Sequence, residues 1–184
     1  DDFFRYHFYL HFIKTKSLLI LYELKFQLHM KIYDCFMFFD EEMMLDLRLN
    51  ILDKYVDKFV ITEATYMHSG RPKKLLFDIN KFSKFKNKII YNVVDKEPPD
   101  IETIYEEDKD EKDTRGQKLV NNSNKREHFQ REMAQESLKV LAVANPEDII
   151  LINDVDEIPN LDEINFNTIN KKLIFFKQKM FFYK

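Results

Sequence analysis

Asp154, Val155 and Asp156 follow four apolar residues, Ile149, Ile150, Leu151 and Ile152, after the single Asn153, and Glu157 and Pro159 close the segment. Residues two apart in extended chain project to the same side. Asp154 and Asp156 are therefore placed to share one cation, or to bind it one directly and one through water. With no nitrogen or sulfur ligand beside them, the hard ions Mg²⁺ and Mn²⁺ suit the pair. A cation held there can bridge to a diphosphate, neutralise charge building on a leaving group and orient the group under attack. The structural alternative is that Asp154 caps a following helix while Asp156 and Glu157 are solvated turn residues.

Two other chemistries share parts of this pattern. A calcium loop of the EF-hand kind needs glycine at its sixth position and glutamate at its twelfth, and those places hold Pro159 and Asn165. A phosphatase with an aspartate nucleophile also presents an apolar strand ending in two aspartates. Such an enzyme needs lysine and carboxylate groups on later strands, and little chain follows Asp156. A noncatalytic sugar- or partner-binding fragment is the alternative from outside the enzymes.

Composition narrows the partners. The 29 basic and 32 acidic residues give a net charge of −3, so no basic excess exists to neutralise a nucleic-acid backbone. Gly70 and Gly116 are the only glycines, too few for a dinucleotide fingerprint or a P-loop, so a nucleotide must be held another way. The single cysteine, Cys35, excludes an internal disulfide and a cysteine-rich zinc site and fits a reducing, cytoplasmic location. Residues 1–29 are aromatic-rich but interrupted by Lys14, Lys16, Glu23 and Lys25, and no uncharged run reaches the roughly 18 residues of a membrane span. They read as an N-terminal extension that adds little to the fold, with the domain itself at 30–184.

The elements that would position the acids alternate in type. Apolar runs at 31–39, 58–64, 88–94 and 148–153 have strand length. Residues 41–55 carry Met44, Leu47, Ile51 and Leu52 at helical spacing, and 125–144 carry Phe129, Met133, Leu138 and Leu141. The pattern predicts a layered α/β domain with a mostly parallel sheet. The run 149–152 is apolar enough to place it in the sheet centre, with the acids leaving its carboxyl end, where open α/β sheets bind ligands. Residues 95–124 contain Pro98-Pro99, a stretch at 106–113 with six acids and two lysines, and three asparagines, and read as a flexible acidic loop. After Pro159, a short helix is expected near 161–169 and a strand-like segment at 173–176.

Several separated segments together resemble glycosyltransferase family 17, whose animal members are β-1,4-mannosyl-glycoprotein β-1,4-N-acetylglucosaminyltransferases. They are Lys31-Ile32-Tyr33-Asp34-Cys35-Phe36, Leu47-Arg48-Leu49-Asn50-Ile51-Leu52, Tyr55-Val56-Asp57-Lys58-Phe59-Val60-Ile61 with Glu63-Ala64, and His68-Ser69-Gly70-Arg71-Pro72-Lys73-Lys74. Arg126-Glu127, Gln130-Arg131 and Asp154-Val155-Asp156-Glu157-Ile158-Pro159 complete the set.

The resemblance implies a nucleotide-diphospho-sugar transferase fold of the GT-A type, a UDP-N-acetylglucosamine donor, a glycan acceptor, a divalent cation of the Mn²⁺ kind and inversion at the anomeric carbon. It makes Asp154 and Asp156 the metal ligands and adds Glu157, Glu63, Arg71 and Arg126 as donor-binding candidates. The family continues past the position of Lys184 into the half that supplies acceptor contacts and a general base. The fold is therefore expected to be C-terminally incomplete, and no catalytic base can be named. By analogy with the animal members, a Golgi or other membrane-associated location is the alternative to the cytoplasm. Glu127 and Arg131, four apart on a helix, read as an ordinary ion pair, and Arg48 as a buried cation reaching a strand acid.

Overall fold

The computed structural model describes residues 30–109, 114–140, 144–169 and 171–177. The chain divides into two units, Asp1–Lys31 and Ile32–Lys184. The expectation for residues 1–29 falls outside the described residues. In the second unit the four apolar runs form β1 (Ile32–Met37), β2 (Lys58–Ala64), β3 (Ile89–Val94) and β4 (Ile149–Ile152). All pair in parallel, in the order β3-β2-β1-β4. The α/β layout follows from this alternation, because a parallel pair needs a crossover and the crossover covers a sheet face.

The first crossover contains α1 (Glu42–Leu52). Leu45, Leu49 and Leu52 are fully buried against Phe36, Phe59 and Ile61, and burying each contributes about 1.5–3 kcal/mol. Leu47 and Ile51, expected inside, are exposed. The reason is geometric: α1 carries apolar residues at 43, 44, 45, 47, 49, 51 and 52, which point in several directions, and positions 45, 48, 49 and 52 share the buried face. That face puts Arg48 in the core.

The second helix, α2 (Thr114–Val140), covers the opposite face, where Ala134 and Leu138 pack on Tyr33, Cys35 and Val60. Its buried stripe, Asn122, Arg126, Gln130, Ala134 and Leu138, recurs every fourth residue. The helix begins at Thr114, well inside the segment expected to be a loop. Asn122, a weak helix former, is compensated by tertiary bonds: its amide accepts from Glu102 N at 2.8 Å and donates to Glu102 O at 2.8 Å. Lys118 reaches both oxygens of Asp108 at 2.8 and 2.9 Å, and Lys125 donates to Asp100 O. The acidic segment is thus tied to α2 at three points between residues 100 and 108.

Two further expectations change. β4 stands at the end of the strand order, not its centre, and Ile152, on the α2 face beside Cys35, is 64% exposed at this sheet edge. Leu151, on the α1 face, is buried. Beyond Pro159 the expected helix is a single 3-10 turn at Phe166–Thr168, and residues 173–176 form no strand. Among the described residues, no helix is long and apolar enough to cross a membrane.

Candidate functional site

β1 pairs with β2 on one side and β4 on the other, so the chain reverses its winding direction between β1 and β4. At such a switch point the loops leaving the carboxyl ends part and open a crevice. A cleft of about 680 Å³ lies there. Its walls include Phe38 and Phe39 after β1, His68 and Ser69 after β2, Glu127 and Arg131 of α2, and Asp154 and Asp156 after β4. A crossover helix runs antiparallel to its strands, so α2 borders the cleft as far as Arg131 and its last turns, with Ala134 and Leu138, pack on the sheet.

The acidic segment is a turn rather than extended chain. Glu157 N donates to Asp154 O at 3.0 Å, Ile158 N donates to Asp156 O at 3.1 Å, and the Glu157 carboxylate accepts from Asp154 N at 3.1 Å. Glu157, expected to bind a donor, closes this turn; it does not line this cleft but borders a second cavity together with Asp154 and Asp156. Val155 and Pro159 are buried and anchor the turn, leaving Asp154 and Asp156 both facing the cleft.

Arg48 holds the turn from below. Its Nε and Nη2 donate to the two oxygens of Asp34 at 2.8 and 2.7 Å, and both side chains are fully buried. Its Nη1 donates to the carbonyls of Asp154 (2.9 Å), Val155 (3.3 Å) and Glu157 (2.9 Å). Asp34 sits between Phe59 and Leu151 in the sheet, where burial pushes its carboxyl up and the Arg48 hydrogen bonds and charge oppose that push. The expectation of a buried cation reaching a strand acid is met, and the same cation also clamps the acidic turn.

Arg131 reaches the site from above. Its Nη2 lies 2.6 Å from Asp154 Oδ1 and 3.0 Å from Glu127 Oε1. The intrahelical pair with Glu127 is present as expected; the bond to Asp154 was not legible, because it joins residues 23 apart through the tertiary fold. The available signal was that a crossover helix comes back from the carboxyl ends of the strands, so that residues before its buried end, Ala134 and Leu138, lie nearer those ends.

Three other candidates do not join the acids. Glu63 is fully buried, and its carboxylate is consumed by Lys73 Nζ (2.5 Å), Leu76 N (2.8 Å), Phe77 N (3.1 Å) and the Tyr91 hydroxyl (2.7 Å). It anchors the segment after β2 instead of facing a donor. Burial first, then this bond, pushes the Tyr91 hydroxyl well up, so it stays a donor. Arg126 bonds Glu97 through Nε (3.0 Å) and Nη2 (2.8 Å) and donates to His68 O (3.1 Å). The guanidinium lies against Gly70, whose φ of +84° favours glycine and where a Cβ would require Arg126 to shift. Arg71 is exposed, touches Ser69 Oγ at 3.4 Å and does not line the cleft.

Among the described residues no group of three or more His, Cys, Asp or Glu is arranged to hold a metal ion. Asp154 and Asp156 alone nevertheless suit a small hard cation that keeps waters and takes its other ligands from phosphate oxygens. Two all-oxygen groups on one cleft wall are the donor set such an ion needs, and the oxygen pair favours a hard cation although His68 and three methionines line the same cleft.

Searches of curated proteins and of solved structures returned no match. The family model of glycosyltransferase family 17 matches residues 5–183, beginning upstream of the segments in which the resemblance is visible. That match sets aside the phosphatase reading: the chain belongs to glycosyltransferase family 17, whose activity requires a sugar donor and an acceptor.

Proposed function

We propose that this chain binds a UDP-sugar, N-acetylglucosamine or a close relative on UDP, and transfers the sugar with inversion to a glycan acceptor, as in the N-linked glycan chemistry of the animal family members. The observation that carries this reading is the position of Asp154 and Asp156 at the β1/β4 switch point, facing one cleft of donor size. Asp154 and Asp156 would hold a Mn²⁺ or Mg²⁺ ion, whose charge would stabilise the departing diphosphate. Phe38, Phe39, Met44 and Tyr66 give the cleft an apolar wall that excludes water from one side of the bound sugar nucleotide. Arg48 keeps the acidic turn in place through its three carbonyl bonds, so the carboxylates meet the ligand already oriented.

Calorimetry with UDP-N-acetylglucosamine, with and without Mn²⁺, tests this. Binding is expected to need the ion and to weaken strongly in Asp154→Asn and in Asp156→Asn, with both variants folded. Equal affinity with and without Mn²⁺, or in Asp156→Asn, would sink the reading.

A further inference from the structure

Arg131 is the cleft's unassigned cation. The lysine and arginines near it are committed elsewhere: Lys73 to Glu63, Arg126 to Glu97 and His68 O, and Arg48 to Asp34 and the turn. Arg131 instead pairs with the Asp154 carboxylate itself, with both of its ion pairs made through Nη2. A guanidinium has five N–H donors in a rigid fork and stays charged at any working pH, so further donors face the cleft. The side chain is 38% exposed and Asp154 46%, so the pair is solvated and can open.

We propose that Arg131 is an exchange residue: in the free protein it neutralises Asp154, and when a divalent cation arrives with a diphosphate it gives up that carboxylate and binds a diphosphate oxygen. This rests on the cation and donor reading above. Two facts support the exchange. Asp154 cannot give the same oxygen at full strength to both Arg131 and a cation, so the two compete. A cation at Asp154 brings phosphate oxygens to the place Arg131 already borders, and guanidinium binds such oxygens with charge-assisted bonds. Glu127, one turn earlier on α2, keeps the guanidinium at the cleft during the transfer.

The exchange predicts effects of opposite sign for one substitution. Removing Arg131 removes a competitor for the cation, so Mn²⁺ alone should bind Arg131→Gln more tightly than wild type, by up to about fivefold for a solvated pair. Inorganic pyrophosphate, titrated into protein saturated with Mn²⁺, should bind the variant more weakly, by about ten- to hundredfold for a lost charged hydrogen bond. Arg131→Lys keeps the charge, so its Mn²⁺ affinity should stay near wild type while pyrophosphate binding falls part of the way. Free Mn²⁺ is followed by electron paramagnetic resonance and pyrophosphate by calorimetry, with circular dichroism to confirm that each variant is folded.

Mn²⁺ binding that is unchanged or weaker in Arg131→Gln overturns the competition. Pyrophosphate binding equal to wild type overturns the phosphate contact and leaves Arg131 a structural partner of Glu127. If wild type binds Mn²⁺ and pyrophosphate but not UDP, the nucleotide reading fails while opposite shifts in Arg131→Gln still uphold the exchange.

Discussion

Arg48→Met removes a charge that the core tolerates only because Asp34 and the acidic turn bind it. Asp34 is fully buried between two strands, so the variant leaves a carboxylate stripped of a bidentate partner. Breaking such a pair costs about 3–5 kcal/mol, against a total of about 5–15 kcal/mol for a typical domain. The carbonyls of Asp154 and Glu157 also lose a donor, but those bonds are only part-buried and water can replace them. Most of the loss therefore comes from the unpaired charge. Burial already pushes the Asp34 carboxyl up, and without Arg48 nothing named opposes it.

A carboxyl whose folded pKa lies above its unfolded one contributes stability that is complete below the unfolded pKa and is lost as pH rises through the folded pKa. The Arg48→Met deficit should therefore be larger at about pH 8 than at about pH 5. Urea unfolding at both values measures it. The double variant Asp34→Leu/Arg48→Met carries neither charge and should recover most of the stability. It still lacks the three carbonyl bonds to the turn, so Mn²⁺-dependent donor binding should remain weak. A loss below about 1 kcal/mol, the size of a surface pair, or full donor affinity in the double variant, would refute the reasoning.

Two further outcomes follow from local geometry. Gly70→Ala should lower stability by about 1–2 kcal/mol through its left-handed backbone alone, with an added penalty because the new Cβ meets Arg126 Nη2 at 2.7 Å. Thermal unfolding beside the exposed control Ser69→Ala measures this, and an unchanged midpoint would contradict it. Burial, then the Asp34 charge, pushes the Cys35 thiol up to about 12. Iodoacetamide at about pH 8 should accordingly leave the native protein unmodified and label it in urea, and rapid native labelling would show that the β1 face opens.

Strand positions were legible because each parallel strand is a short apolar run, and Lys58–Ala64 agrees residue for residue with its expectation. Helix faces were less so. In α1, apolar residues point in several directions: Arg48 reads correctly as a buried cation, but Leu47 and Ile51, expected in the core from their spacing, are exposed. The start of α2 was hidden by asparagines whose helical placement depends on a bond to Glu102, a residue 20 positions away. Asp154 and Asp156, singled out as two acids after an apolar run, do line one cleft. Glu63, Arg126 and Glu157 looked equally suited to a ligand, but the fold spends each of them on its own backbone and side chains.

The amino-acid order by itself determined the α/β class, the four strands and the acids at the end of the last one, since these depend on hydrophobic period and on neighbours within a few residues. The tertiary structure decided which charges serve the site. Asp34 and Arg48 meet across 14 residues, Arg131 and Asp154 across 23, and Arg48 and the acidic turn across 106. Such pairings are set by strand order and helix rotation, so identical residue types become a core clamp in one place and a cleft cation in another.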